Sequence, residues 1–314
     1  MNTSTYKFDF NYENVEEPEN MKQKFIDIIS KVPRHGGYLS DLFLYKDFWY
    51  QPGFLEGVIV AQENFKARPN DIILCSGPKT GTTWLKALAI AIANKTCLDD
   101  KSTNPLIHSS PHECIPYLEV NLLEHKKSLY PQLPILATHI PYSALPETIS
   151  NSGCKLVYIC RDPKDVLVSM WHFMSNFMQD FRIEEAFELF SRGILHAGPY
   201  WDHVLEYWKA SVENPERVFF MKYEDLRKET SLHVKKLARF MGFSFSLEEE
   251  NDGLVEKVVE FCSFKNLSNL EAENKNFFRK GNVGDWRNFL SDEMVERIDN
   301  ITHIKMKDSG FTFG

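Results

Sequence analysis

The period of the hydrophobic pattern changes at Gly77. Residues 71–76, DIILCS, are a short, nearly unbroken apolar run of strand length, ended by the turn pair Gly77-Pro78. From Thr82 onward, Trp84, Leu85, Leu88, Ala89 and Ile92 recur at helical spacing, with Thr82 and Thr83 placed to cap the start. The segment reads strand, tight loop, helix. The alternation continues downstream: 133–137, 155–160 and 217–221 are strand-like, while 165–177, 183–195, 200–210, 232–241 and 254–262 carry helical periodicity. Such alternation predicts an α/β fold, a single domain with a central parallel sheet flanked by helices. Ligands of such sheets bind beyond the carboxyl ends of the strands, so the loop at 77–81 and the residues after Ala137 and Cys160 should share one crevice.

Upstream, residues 1–20 read as a flexible acidic tail, and 21–32 as a helix stopped by Pro33 and Gly36-Gly37. The next stretch is aromatic, with Phe43, Tyr45, Phe48, Trp49, Tyr50 and Phe54, which suits core packing or one wall of an apolar pocket. No internal repeat or linker interrupts 21–314, so one domain is expected.

Composition narrows the class. With 43% hydrophobic and 13% aromatic residues among 314, the chain can bury a sizeable core. A net charge of −8 argues against nucleic acid or an anionic membrane as a partner, so any anion site must be local. The six cysteines form no C-x-x-C pair and several lie in apolar runs, which suits free buried thiols in a reducing compartment. No metal-ligand cluster stands out. The N-terminus has no apolar signal-peptide core, and the apolar helix at 85–93 is too short for a membrane span and carries Lys86. A cytoplasmic protein is expected.

The chemistry gathers at the strand ends. A strand–loop–helix turn aims the first N–H groups of the helix at the loop, where the helix dipole adds positive charge, so 77–83 is a candidate anion site. Lys79 adds a cation and Gly81 lets the backbone approach closely. In a Walker A motif the lysine follows the second glycine, whereas Lys79 precedes Gly81, which disfavours a nucleoside triphosphate with Mg²⁺. His139 follows the second strand, where an imidazole can take a proton from a hydroxyl, or simply pack as a satisfied structural group. Arg161 offers a fork for a phosphate that Ser169 could also reach, with an ordinary Arg161–Asp162 ion pair as the alternative. Arg279 and Lys280 beside Gly281 read as a flap over a second phosphate or as a solvated basic patch.

Together PKTGTTW (78–84), THIP (138–141), RDPKDVLVSMWHF (161–173), KYEDL (222–226) and RKGNVGDW (279–286) resemble the signatures of cytosolic sulfotransferases, in order and from about Phe43 onward. The text HECIPYLE, ATHIPYSALP and GPYWDHVLEYWKAS is most similar to the plant branch, which acts on flavonoids, brassinosteroids and desulfoglucosinolates. The resemblance implies 3′-phosphoadenosine 5′-phosphosulfate as the sulfuryl donor, no metal, and a small hydroxylated acceptor. It assigns Lys79, Thr80, Gly81, Thr82 and Thr83 to the phosphosulfate and Trp84 to the adenine. Arg161, Ser169, Arg279, Lys280 and Gly281 would hold the 3′-phosphate, and Tyr223, Ser263 and Phe264 the adenosine. His139 would be the catalytic base and Lys79 would neutralise the departing phosphate oxygen.

Many relatives carry tyrosine where this chain has Gly77, and lysine where it has Ala137, a lysine that plant members commonly lack. Residues 271–277 are short beside many plant relatives. Gly77 and this stretch leave open a protein that binds the donor without turning it over. Proximity to the motifs makes Phe48, Trp49, Ile140, Tyr142, Trp171, Phe173 and Met174 candidate acceptor walls. The animal-type dimer motif is absent from NFLSDEMVERI, which leaves the oligomeric state open.

Overall fold

A computed structural model describes residues 18–98, 100, 103–121, 134–270 and 280–313. Of the tail expected at 1–20, residues 1–17 lie outside the described residues and 18–20 belong to a helix instead; the stretch 271–277 and Arg279 also lie outside them.

A helix over Pro18–Ile29 opens the described chain where one was expected at 21–32, and three short strands follow it: β1 (Arg34–Gly36), β2 (Asp41–Tyr45) and β3 (Phe48–Tyr50) form an antiparallel sheet in that order. The sequence reading held only a parallel sheet and missed this one. Its hairpin turns on Lys46 and Asp47, both at positive φ (48° and 66°), a primed-turn geometry usually signalled by Asn-Gly or Asp-Gly. The alternation at the turn exit buries Phe48 and Tyr50 and leaves Trp49 half-buried.

The main sheet holds β4 (Ile72–Ser76), β5 (Ile135–Thr138), β6 (Lys155–Cys160) and β7 (Val218–Lys222), all parallel, in spatial order β5-β4-β6-β7. Both faces are covered, and the period of two decides which side chain meets which layer. Ile73, Cys75, Leu156 and Tyr158 join one core cluster, while Ile72, Leu74, Val157 and Ile159 join the other.

On the first face lie α1 (Pro52–Asn64), among others, and on the second lies α2 (Thr82–Ala93), whose Leu85, Leu88 and Ile92 are fully buried. Next come α3 (Pro163–Met174) and α4 (Tyr200–Glu213) on the first face, then α5 (Thr230–Met241) and α6 (Leu254–Phe261) on the second. The two neighbours of β4 diverge in sequence, so its carboxyl end is the topological switch point of the sheet.

Candidate active site

At that switch point the loop 77–81 is anchored by Thr80. Its hydroxyl is fully buried, 2.9 Å from the Gly77 carbonyl oxygen and 3.1 Å from that of Ile159, and shares its one hydrogen between them. The Thr80 side chain therefore serves the sheet and only its backbone is left for a ligand. Gly81 caps α2 from the left-handed region (φ 113°), and a Cβ there would come 2.7 Å from the Tyr223 ring, so no other residue fits without displacing it. Thr82 and Thr83 do not cap the helix as the sequence suggests: no side chain bonds the N-cap, and the first-turn N–H groups keep their anion-binding character. Gly77 lies against the Tyr200 ring, which a Cβ there would meet at 3.3 Å.

Lys79 also adopts positive φ (68°), and its Nζ lies 4.1 Å from the centre of the Phe173 ring. Strain of this kind persists only where the surroundings enforce it. Here it holds the cation at the mouth of the loop, against an aromatic face.

His139 stands at the end of β5, across the slot. Its Nδ1 is 2.7 Å from the Ser76 carbonyl oxygen, an acceptor only, so Nδ1 carries the hydrogen and Nε2 keeps a lone pair. The Ser76 hydroxyl is also within 3.3 Å of Nδ1 and 2.7 Å of Thr82 Oγ1. Burial pushes the imidazole well below its ordinary pKa, against the opposing bond to Ser76, so the ring is neutral near pH 7.

The backbone around His139 is held from four directions. Its N–H donates to Glu119 Oε1 at 2.8 Å, and Thr138 Oγ1 donates to Glu119 Oε2 at 2.9 Å while accepting from the Ile140 N–H at 3.0 Å. His203 Nε2 donates to the His139 carbonyl at 3.1 Å, with Nδ1 accepting from Tyr158, and the Tyr207 hydroxyl donates to the Ile140 carbonyl at 2.7 Å. Glu119, fully buried, is the keystone; it closes the text HECIPYLE, which gave it no role in the sequence.

Glu119 is itself positioned by Gly57 of α1, where a Cβ would fall 1.6 Å from the Glu119 carbonyl oxygen. Gly57→Ala must separate α1 from the short helix Leu118–Asn121, with an expected stability loss of about 3 kcal/mol. Urea unfolding checks it; an unchanged midpoint would mean that the helices part freely.

The opposite wall is a second anion site built on Arg161. Its guanidinium is buried, donates to the Asn282 carbonyl at 2.7 Å, pairs with Asp165 at 3.5 Å and lies 4.6 Å over the Tyr223 ring. Its buried Nε has no hydrogen-bond partner among the described residues, a donor waiting for an acceptor. Asp165 also accepts from the N–H groups of Gly284 (2.7 Å) and Trp286 (3.1 Å), which ties the C-terminal loop to the site. Tyr223 joins the two motifs: its ring fills the space beside Gly81, and its hydroxyl donates to the Gly281 carbonyl at 2.8 Å. Trp84, edge-on to Tyr223, donates from Nε1 to the Cys262 carbonyl at 3.0 Å, and Phe264 borders Gly281.

All of this opens on one cavity of about 970 Å³, lined by Lys79, Gly81, Thr82, Thr83, Trp84, His139, Arg161, Ser169, Tyr223, Phe264 and Gly281. Ser263 is not among the lining residues; its hydroxyl accepts from the Asn266 N–H at the start of the helix Phe264–Leu270. Lys280 is not among them either: its Nζ pairs with Asp285 at 3.4 Å.

Of the expected acceptor walls, Phe173 and Met174 line the cavity. Phe48 packs on His203, Tyr142 on Tyr207 and Trp171 on Phe289, Ile140 is core, and Trp49 pairs through its backbone with Gly198. Proximity in sequence misplaced these five because neighbouring residues on a strand or helix face opposite ways. Phe54, from the aromatic stretch expected to wall a pocket, and Phe177, just beyond Met174, line the cavity with Tyr38, Leu42 and His196.

A sulfotransferase domain model matches residues 69–310. The chain is 45% identical to cytosolic sulfotransferase 16 of Arabidopsis thaliana, over 94% of each protein. It is 44% identical to flavonol 4′-sulfotransferase of Flaveria chlorifolia, covering 94% of this chain and 99% of that one. In three dimensions it is similar to mouse sulfotransferase SULT7A1 crystallised with PAP, with a TM-score of 0.67 and 26% identity over 86% of this chain and 95% of that one.

Proposed function

The chain belongs to the sulfotransferase family, of the plant cytosolic type, and from that premise we propose that it moves the sulfuryl group of 3′-phosphoadenosine 5′-phosphosulfate to a hydroxyl of a small, largely apolar metabolite. The observation that carries this reading is the tautomer of His139: with Nδ1 bonded to Ser76, the lone pair of Nε2 is left for the cavity that Lys79 and the α2 N-terminus also line.

The residues suit the donor. The α2 N–H groups and Lys79 take the phosphosulfate, while the orphaned Arg161 Nε and Ser169 suit a 3′-phosphate. Trp84, Tyr223 and Phe264 offer aromatic surface for the adenosine, and Arg279, Lys280 and Gly281 are assigned to the 3′-phosphate by their place in the motif, Gly281 lining the cavity. His139 Nε2 takes the acceptor proton as the acceptor oxygen bonds to sulfur. The bond from sulfur to the bridging oxygen breaks, and Lys79 meets the charge left on the phosphate. The aromatic wall of Phe54, Phe173 and Phe177 suits a ring-bearing acceptor, in keeping with the flavonol named for the Flaveria relative. A cytoplasmic location follows the cytosolic relative, and residues 21–314 form the catalytic unit.

The test is turnover of labelled donor with a panel of phenols, followed across pH. A neutral His139 with a depressed pKa is already in its base form at pH 7, and protonation removes it only as pH falls. The acid limb of kcat/KM is therefore expected below pH ~6.5, the ordinary value for histidine. A limb at or above that value, or transfer abolished by EDTA, would contradict the reading.

A further inference from the structure

Behind the donor loop lies a buried lysine that the transfer chemistry does not use. Lys86 is fully buried on α2, one turn after Thr83 and on the same helix face, and the two side chains clamp the ring of His112. His112 enters from the short helix Pro111–Cys114, which is fixed by a Ser110/Glu113 capping box. Its Nδ1 is 3.2 Å from Lys86 Nζ, and its Nε2 is 3.0 Å from Thr83 Oγ1. Lys86 Nζ also donates to the Ile115 carbonyl at 2.8 Å and sits 3.5 Å over the Tyr117 ring. These three electron-rich partners match the three hydrogens of an ammonium group, and a lone pair facing the π surface would be repelled.

We propose that Lys86 and His112 are positioning residues for donor binding: Lys86 holds His112 as the Nε2–H tautomer, which donates to Thr83 Oγ1 and leaves the Thr83 hydroxyl hydrogen for an anionic oxygen of the phosphosulfate. The step is one of hydrogen-bond direction. With Nδ1 accepting from Lys86, Nε2 must carry the ring hydrogen of a neutral imidazole. Thr83 Oγ1 then accepts, and its own hydrogen goes to none of the described groups, not even the carbonyl one turn back that helical threonines often use. Thr83 lines the cavity, so that hydrogen is available there. Were the order reversed, His112 Nε2 would consume it. Burial, reinforced by Lys86, His139 and Lys79, keeps His112 from taking a second proton. The burial that disfavours a charged Lys86 works against the arrangement, and its three partners and the nearby Glu119 carboxylate work for it.

This inference rests on the sulfotransferase reading, and the test separates the two. Calorimetry with 3′-phosphoadenosine 5′-phosphosulfate, without acceptor, is run on the wild type, Thr83→Val, His112→Phe and the double variant. Loss of the hydroxyl bond to an anionic oxygen should raise Kd about 10-fold or more in each single variant. Because both act through one hydroxyl, the double variant should match Thr83→Val, and Thr83→Ser should restore binding. Should His112→Phe fail to fold, ¹⁵N spectra of the wild-type histidines still decide: His112 must be the Nε2–H tautomer. A Nδ1–H tautomer, unchanged Kd in Thr83→Val, or effects that multiply in the double variant would overturn the relay while leaving the transferase assignment standing. A wild type that binds no donor would overturn that assignment too.

Discussion

His139→Gln is expected to lower kcat/KM by roughly 10²-fold or more, the usual loss on removing a general base, while donor binding by calorimetry stays within a few-fold of wild type. Glutamine places an uncharged amide where Nε2 stands, and the four backbone bonds that hold residues 138–140 are made by other side chains and survive. What it lacks is a basic lone pair. His139→Ala should cost at least as much, with an added loss of packing against the Tyr117 ring 4.7 Å away. Equal turnover in both variants and the wild type would remove histidine from the chemistry and leave it a strand-end packing residue.

Lys79→Met should lower kcat by about 10²–10³-fold, the range seen when one charge-stabilising donor is deleted from a transition state. Methionine preserves the contact with the Phe173 ring but not the charge, so the comparison isolates electrostatics from packing. The effect should fall on kcat more than on acceptor KM, because charge gathers on the departing oxygen only as the bond to sulfur breaks. Lys79→Arg should recover only part of the loss, since a planar guanidinium cannot reproduce a point charge at a backbone position held at positive φ. A Lys79→Met variant that raises only KM would reassign Lys79 to simple substrate binding.

How far these residues could be read in the sequence depended on how local their cause was. β6 appears where the apolar run 155–160 puts it, and β4 within one residue of its expected start, because buried parallel strands are written as continuous apolar runs. The loop residues and His139 follow from the same logic, since strand ends in such a sheet converge. Lys86 shows the limit: in the sequence it is a charge that interrupts an apolar helix, and in the fold it is fully buried against Nδ1 of His112 and the face of Tyr117. Glu119 was equally hidden, because its part depends on the approach of Gly57 and on β5 arriving alongside. Local signals cannot report a partner that is distant along the chain.

The most direct measurement is a crystal structure with 3′-phosphoadenosine 5′-phosphate and a phenolic acceptor bound together. The expected result is the acceptor oxygen within hydrogen-bond reach of His139 Nε2, the 5′-phosphate at the α2 N-terminus beside Lys79, and the 3′-phosphate at Arg161. A nucleotide bound elsewhere in the cavity, or an acceptor hydroxyl turned away from His139 while both phosphates are in place, would contradict a transfer run by this histidine and this lysine.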